Sequence, residues 1–242
     1  MRQGADEARW CDGPFVGFDT ETTGVDTAKD RIVTAAVVIR GEDGVPETRT
    51  WLINPGVDIP AAATAVHGVT TAQARAEGVS PCDGLEEIAA VLAEHLQRGT
   101  PLVVFNAGFD IPLLEAELAR HGLPTLAERL GGPVMPVIDP LVIDRWQDRF
   151  RRGGRRLGNL VDHYGVTVDS HGLHNAEADV LAMLDVLHAQ LRRWPNVAAM
   201  PLELLHAEQA RAHRDWAVGF NEWLARKGKV ADVNPEWLSY PT

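Results

Sequence analysis

An apolar segment that ends in two acids one residue apart constrains this chain more than any other feature. Residues 15–18 read Phe-Val-Gly-Phe, and Asp19 and Glu21 follow. Residues i and i+2 of a β-strand lie on the same face, so these two carboxylates are predicted to project side by side. A hard divalent cation, Mg²⁺ or Mn²⁺, would offset their mutual repulsion and their desolvation. The alternative is an acidic strand end that simply faces solvent.

Length and charge narrow the class of protein. The chain has 242 residues, which suits one large domain or one domain with an appendage. Its first residues lack the apolar stretch of a secretion signal, and no segment approaches the length of a membrane span. Cys11 and Cys82 have neither metal-site spacing nor disulfide-framework density, so a cytoplasmic location is expected. The net charge of −11 argues against a broad, non-specific nucleic-acid clamp, but not against an enzyme that meets phosphates through bound metal.

The order of apolar patterns predicts a mixed α/β fold. Three strands, at 15–19, 31–40 and 47–53, are expected to form an antiparallel meander, followed by a loop to about residue 80. The later predicted elements are a helix over 81–97, strands at 101–105 and 136–139, and helices near 112–121, 140–150, 156–164, 175–193 and 202–227. Such an order indicates a mixed sheet flanked by helices. If the 101–105 strand is parallel to the first, Asp19 and Asp110 meet at one edge of the sheet.

Two further groups of residues carry chemistry. Asp110 stands where a helix is expected to begin, so it is either a site residue or a helix N-cap. His174 and Asp179 open a strongly periodic helix, and five helical positions separate side chains by about 140°. They would face one cavity if His174 stands on the preceding loop. Alternatively, His174 is a surface or capping histidine, and Asp179 is an acid favoured by the helix dipole.

Taken together, these motifs resemble those of a known family. Residues 18–24 (Phe-Asp-Thr-Glu-Thr-Thr-Gly), 105–110 (Phe-Asn-Ala-Gly-Phe-Asp) and 174–179 (His-Asn-Ala-Glu-Ala-Asp) are similar to motifs of the DEDDh 3′→5′ exonucleases, as is Val-His-Gly-Val-Thr at 66–70. This family has a ribonuclease-H-like fold and includes the epsilon subunit of bacterial DNA polymerase III. The resemblance implies a five-stranded mixed sheet, an exonuclease domain over 14–194, and a C-terminal helical extension and tail over 195–242.

The resemblance also implies the catalytic roles. Asp19, Glu21 and Asp179 would hold a first Mg²⁺ or Mn²⁺, and Asp19 would bridge to a second ion. Asp110 would support the second ion, largely through water, and His174 would be the general base that takes a proton from the attacking water. Two such ions clamp a scissile phosphate, and a histidine titrates near neutral pH, so these roles are chemically consistent. The product would be a nucleoside 5′-monophosphate.

The resemblance places Thr22, Thr23 and His67 in the pocket for the terminal nucleotide. For the two threonines the alternative is turn chemistry before Gly24. For the His-Gly-Val-Thr segment, the alternative is a bend followed by a helix N-cap.

Six arginines lie between residues 145 and 156, an unusual density in so acidic a chain. Four of them are predicted to grip the substrate backbone: Arg151, Arg152, Arg155 and Arg156. The alternative is a solvated helix end and flexible loop.

An apolar face in the last predicted helix comprises Trp216, Phe220, Trp223 and Leu224. It is expected to dock on the nuclease core or on a second copy, giving a homodimer, and a dedicated partner site is the alternative. Epsilon subunits carry a clamp-binding peptide after the nuclease domain. This chain has no clear counterpart, which argues against association with a clamp or polymerase.

The leading hypothesis is a metal-dependent exonuclease acting at the 3′ end of single-stranded or frayed nucleic acid. DNA is favoured as the substrate and RNA trimming is the near alternative. A catalytically idle nucleic-acid-binding module and a structural α/β domain are the other classes considered.

Overall fold

A single mixed sheet forms the centre of the protein. The computed structural model describes residues 9–41, 45–167 and 176–239. Its strands are β1 (Phe15–Thr22), β2 (Ile32–Arg40), β3 (Pro46–Leu52), β4 (Leu102–Val103) and β5 (Val137–Ile138). They are arranged in the order β3-β2-β1-β4-β5. Strands β1 to β3 form an antiparallel meander, whereas β4 is parallel to β1 and β5 is parallel to β4. The predicted five-stranded mixed sheet is confirmed.

Helices cover both faces and one edge of this sheet. In the described residues they are α1 (Ala61–His67), α2 (Thr71–Glu77), α3 (Pro81–Gln97), α4 (Ala107–Arg120), α5 (Leu126–Leu130), α6 (Pro140–Gln147), α7 (Leu157–Tyr164), α8 (Ala176–Arg193), α9 (Pro195–Ala198) and α10 (Leu202–Arg226). A short 3₁₀ helix spans Trp10–Asp12. No helix of the described segments combines the length and the apolar character needed to cross a membrane.

The two faces of β1 belong to separate apolar clusters. Val16 and Phe18 pack with α3 and α4 on one face, while Phe15 packs with α8 on the other. Gly17 lets α8 come close to the strand, because a Cβ at this position would lie 2.3 Å from Cγ1 of Val180. The start of α8 is therefore held directly against the strand that carries Asp19.

The structure differs from the sequence-based expectation most clearly in two places, the segment before residue 80 and the start of α4. The predicted loop before residue 80 contains α1 and α2, and the Thr70 side chain caps α2 by accepting a hydrogen bond from the Gln73 N–H. Helix α4 begins at Ala107 and not near Pro112, which lies inside it. A proline usually indicates the first helical turn, but here Asn106 adopts a left-handed conformation (φ 63°) and starts the helix earlier.

Candidate active site

Three carboxylates from two elements form an acidic cluster at one end of β1. Asp19 and Glu21 lie two residues apart in β1, and Asp179 lies in the first turn of α8. Each offers a carboxylate oxygen within 4.8 Å of those of the other two. The side chains are partly exposed, so the cluster is open to a ligand. The side-by-side arrangement predicted for Asp19 and Glu21 is found, and α8 contributes the third acid.

Asp110 is connected to this cluster by Thr20, which lies between Asp19 and Glu21 in β1. Both the N–H and the hydroxyl of Thr20 donate to Oδ1 of Asp110, at 3.2 and 2.6 Å. Asp110 is only 3% exposed. The N-cap alternative for Asp110 is wrong, because Asn106 occupies the N-cap position and Asp110 lies inside the first turn of α4. Thr20 therefore fixes the position of Asp110 relative to Asp19.

Without a bound cation, desolvation and mutual repulsion disfavour the ionised forms of these carboxyl groups. Although the Asp19 side chain is partly exposed, desolvation by the protein packed around it raises its pKa well above the usual value, and the nearby charges of Asp110, Asp179 and Glu21 raise it further. Burial also raises the pKa of Asp110 to about 7, although the two hydrogen bonds from Thr20 oppose this shift. A bound cation would stabilise the ionised form of every one of these groups.

Asp139 is a buried residue that the sequence pattern did not indicate as part of the site. It stabilises the turn at Asn106 and Ala107, from which α4 leads to Asp110. Oδ1 of Asp139 accepts from the Asn106 N–H and Oδ2 accepts from the Ala107 N–H, at 3.1 and 2.9 Å. The indole N–H of Trp237 also donates to Oδ2, at 3.3 Å. The signal in the sequence was the Asp-Pro pair at 139–140, because Asp followed by proline is typical of a helix start.

A cleft of about 520 Å³ opens beside the acids. Its lining residues come from β1, α4, α6 and the segment before α7: Asp19, Thr20, Phe105, Asn106, Phe109, Asp110, Leu141, Arg145, Arg155 and Arg156. The lining of the cleft thus combines carboxylates, aromatic rings and arginines. Such a site can accommodate a phosphate together with an attached base and sugar.

The predicted substrate-binding arginines differ in their surroundings. Arg151 and Arg155 both form ion pairs with the fully buried Asp144. Arg152 is exposed, and Arg156 lines the cleft together with Arg155. Arg151 and Arg155 therefore neutralise the buried Asp144. Their contact with substrate stays a prediction.

The two threonines of the predicted nucleotide pocket use their hydroxyls within the turn after β1. Thr22 donates to the Gly24 carbonyl at 2.6 Å, and Thr23 donates to Asp30 at 2.8 Å. The turn chemistry considered as an alternative is thus present. A pocket role for these residues stays a prediction.

His67 ends α1 beside this turn. Its Nδ1 accepts from the Val69 N–H at 3.1 Å. Burial lowers the pKa of His67, and an interaction with the Thr22 backbone partly offsets that effect. The ring is therefore a neutral group next to β1 at cellular pH. The predicted general base, His174, lies outside the described residues, so its role also stays a prediction.

Comparisons with known proteins agree on the class of protein to which this chain belongs. A family model described as exonuclease matches residues 16–187. The chain is 32% identical over 193 residues to a DNA polymerase III subunit epsilon-like protein of Rhodobacter capsulatus, covering 78% of this chain and 25% of that protein. It is 30% identical over 173 residues to DNA polymerase III PolC-type of Streptococcus thermophilus, covering 70% of this chain and 11% of that protein. The chain thus spans a quarter or less of these relatives.

The fold matches solved exonuclease structures. A structure of exonuclease I superposes with a TM-score of 0.66 at 20% identity, covering 84% of this chain and 44% of that chain. The complex of E. coli exonuclease I with a dT13 oligonucleotide gives a TM-score of 0.65 at 19% identity, covering 76% and 42% of the two chains. The sheet therefore has the ribonuclease-H-like fold, and the acidic cluster lies at one end of its strand β1. The chain belongs to the exonuclease family, as its motifs predicted.

Proposed function

We propose that this protein is a divalent-metal-dependent 3′→5′ exonuclease that acts on DNA and releases nucleoside 5′-monophosphates. The observation that carries the proposal is the cluster of Asp19, Glu21 and Asp179 oxygens within 4.8 Å of one another, in a chain of the exonuclease family. The cleft next to it has room for a terminal nucleotide. The names of the relatives, and the oligonucleotide in the exonuclease I complex, favour DNA as the substrate.

The donor set fits Mg²⁺ or Mn²⁺. Both are hard cations that take carboxylate oxygens, and the described cluster offers oxygens alone. The raised pKa values of Asp19 and Asp110 mark carboxyls that would ionise fully once a cation is nearby. We infer that Asp19, Glu21 and Asp179 hold one ion, and that Asp19 and Asp110 serve a second.

Each remaining residue has a role that follows from its chemistry. A pair of bound cations would supply Lewis-acid stabilisation of the phosphate and a more acidic bound water. His174 would accept the proton of the attacking water, as the family motif implies. Thr20 would keep Asp110 in place through its two hydrogen bonds. Arg155 and Arg156, on the cleft wall, would balance the charge of the incoming strand.

We assign residues 14–194 to the exonuclease domain and residues 195–242 to a helical extension and tail. Helix α10 of the extension rests on the domain through Gln209, which accepts from the Asp139 N–H and donates to the Val137 carbonyl. The extension thus contacts the segment around Asp139, the residue that stabilises the turn before Asp110.

The test is a cleavage assay on 5′-labelled single-stranded DNA and RNA of identical sequence. The expected result is a ladder of shortened DNA products with Mg²⁺ and none with EDTA. A faster ladder on RNA would reassign the substrate. If wild-type protein produces no ladder on either strand with Mg²⁺ or Mn²⁺, the protein is a nucleic-acid-binding or structural module and the proposal is wrong.

A further inference from the structure

Three aromatic rings of α10 form a continuous stack beside the cleft. Trp216 and Phe220 lie with ring centroids 5.4 Å apart and an interplanar angle of 12°. Phe220 and Trp223 follow at 5.5 Å and 11°. The guanidinium of Arg145 covers the first ring, 3.6 Å above the Trp216 centroid. The stack therefore has one end closed by Arg145, while Trp223 at the other end is 41% exposed.

The surroundings of the stack are cationic. A groove of about 480 Å³ runs along it, and its charged lining residues in the described part of the chain are Arg145, Arg149, Arg211 and one acid, Asp215. Arg211 already pairs with Glu208 and Asp215. None of the ion pairs among the described residues engages Arg145 or Arg149. Two arginines in a chain of net charge −11 are thus left available for an anion.

The groove and the active-site cleft share a wall residue, Arg145. Arg145 lines both spaces, because α6 begins at the cleft and its later residues reach α10. A strand that passes from the cleft along Arg145 would reach the aromatic stack, because the Arg145 guanidinium lies over Trp216. Aromatic rings next to arginines are the general device by which proteins hold single strands, since every base has a face that stacks and every nucleotide carries a phosphate.

We propose that the groove of Trp216, Phe220, Trp223, Arg145 and Arg149 is a second binding subsite, which holds nucleotides of single-stranded substrate several positions upstream of the 3′ end. The inference rests on the proposed function for the polarity of the strand. One base extends the stack on the free side of Trp223, and Arg145 and Arg149 contact the neighbouring phosphates. The charge of the groove favours this occupant over a second copy of the acidic chain.

The subsite predicts a dependence on substrate length. A dinucleotide fills only the cleft, whereas longer single strands can also reach the groove. Trp223→Leu keeps an apolar side chain but removes the stacking face, and Trp223→Phe keeps an aromatic face. Val218→Ala is the matched control, because Val218 is 47% exposed on the same helix and does not line the groove. Circular dichroism and thermal unfolding establish that each variant is folded.

Binding of fluorescein-labelled oligothymidylate is measured by anisotropy in EDTA, and KM is measured with Mg²⁺. We expect Trp223→Leu to raise Kd and KM for long strands about fivefold or more. A change of about fivefold corresponds to the lower end of the range of stacking contributions for a single base. Binding and cleavage of the dinucleotide, kcat, and all values for Trp223→Phe and Val218→Ala should stay near wild type. Arg149→Gln should lower the salt slope of binding by about one.

The outcomes separate the two proposals. Absence of cleavage by wild-type protein at every length overturns the proposed function, while the anisotropy data still test the groove. Equal Kd for Trp223→Leu and wild type on long strands overturns the subsite. A wild-type dimer that Trp223→Leu converts to monomer, with unchanged strand affinity, assigns the groove to a second copy and also overturns it.

Discussion

Replacing Asp110 with asparagine tests how one negative charge in the acidic cluster affects stability and metal binding. Both hydrogen bonds from Thr20 go to the same oxygen, Oδ1, so an asparagine amide oxygen can accept both. The substitution therefore removes a charge while preserving shape and contacts. We expect Asp110→Asn to stabilise the metal-free protein at neutral and higher pH, and to impair metal binding and cleavage.

The magnitude follows from the pKa of Asp110. Its folded-state pKa of about 7 lies above the ordinary value of 3.8, so the folded state binds the proton more tightly than the unfolded state does. The stability associated with that proton is complete below about pH 4 and is lost as pH rises through 7. The difference corresponds to about 4 kcal/mol above pH 7, as an upper bound. For a domain of this size it amounts to a Tm rise of up to roughly 8–16 °C.

Thermal unfolding in EDTA at about pH 4 and about pH 8.5 measures the effect, the two values bracketing the titration range. Asp110→Asn should match wild type at the lower pH and exceed it at the higher pH. Asp144→Asn is the matched control, because Asp144 is equally buried but pairs with Arg151 and Arg155. It should destabilise at both pH values. A variant of Asp110 that is less stable than wild type at the higher pH would refute the reasoning.

Three further substitutions have defined expectations. Gly17→Ala places a Cβ against Val180 of α8, so we expect a loss of about 1–3 kcal/mol in urea unfolding and weaker Mn²⁺ binding by calorimetry. Asp139→Asn replaces an oxygen that accepts backbone N–H groups, so unfolding free energy should fall by about 3 kcal/mol and kcat should fall with it. Burial lowers the pKa of His206 below 6.5, so wild type should lose stability as pH falls below 6.5, and His206→Asn should reduce that loss. Unchanged unfolding curves in any of these cases would contradict the corresponding contact.

Local pattern was sufficient for the sheet and for the acids on it. The alternation of apolar residues and the position of Asp19 and Glu21 after the first apolar run fixed both the strand and the shared face. The parallel pairing of β4 with β1 then followed from the order of the elements, although β4 itself is only Leu102–Val103. These features depend on neighbours in sequence or on connection rules, so they are accessible without coordinates.

Features that depend on distant contacts were not predictable. The order of the elements predicted that Asp110 lies near Asp19, but it gave no indication of the hydrogen-bond partner of Asp110, which is Thr20, 90 residues earlier. The Asp139 carboxylate accepts hydrogen bonds from the N–H groups of Asn106 and Ala107 at the start of α4, 33 and 32 residues earlier. The link between Arg145 and Trp216 joins α6 to α10, whereas the sequence placed these residues in two unrelated patterns.

The rate of single-strand DNA cleavage by Asp19→Asn at saturating Mg²⁺ tests the central claim most directly. Asp19 lies at the centre of the acidic cluster and contacts the cleft, and its replacement removes a charge without adding bulk. We expect kcat to fall at least about 10³-fold in a folded protein, because metal positioning supplies several kcal/mol of transition-state stabilisation. Turnover near that of wild type would contradict the assignment of this cluster as the catalytic metal site.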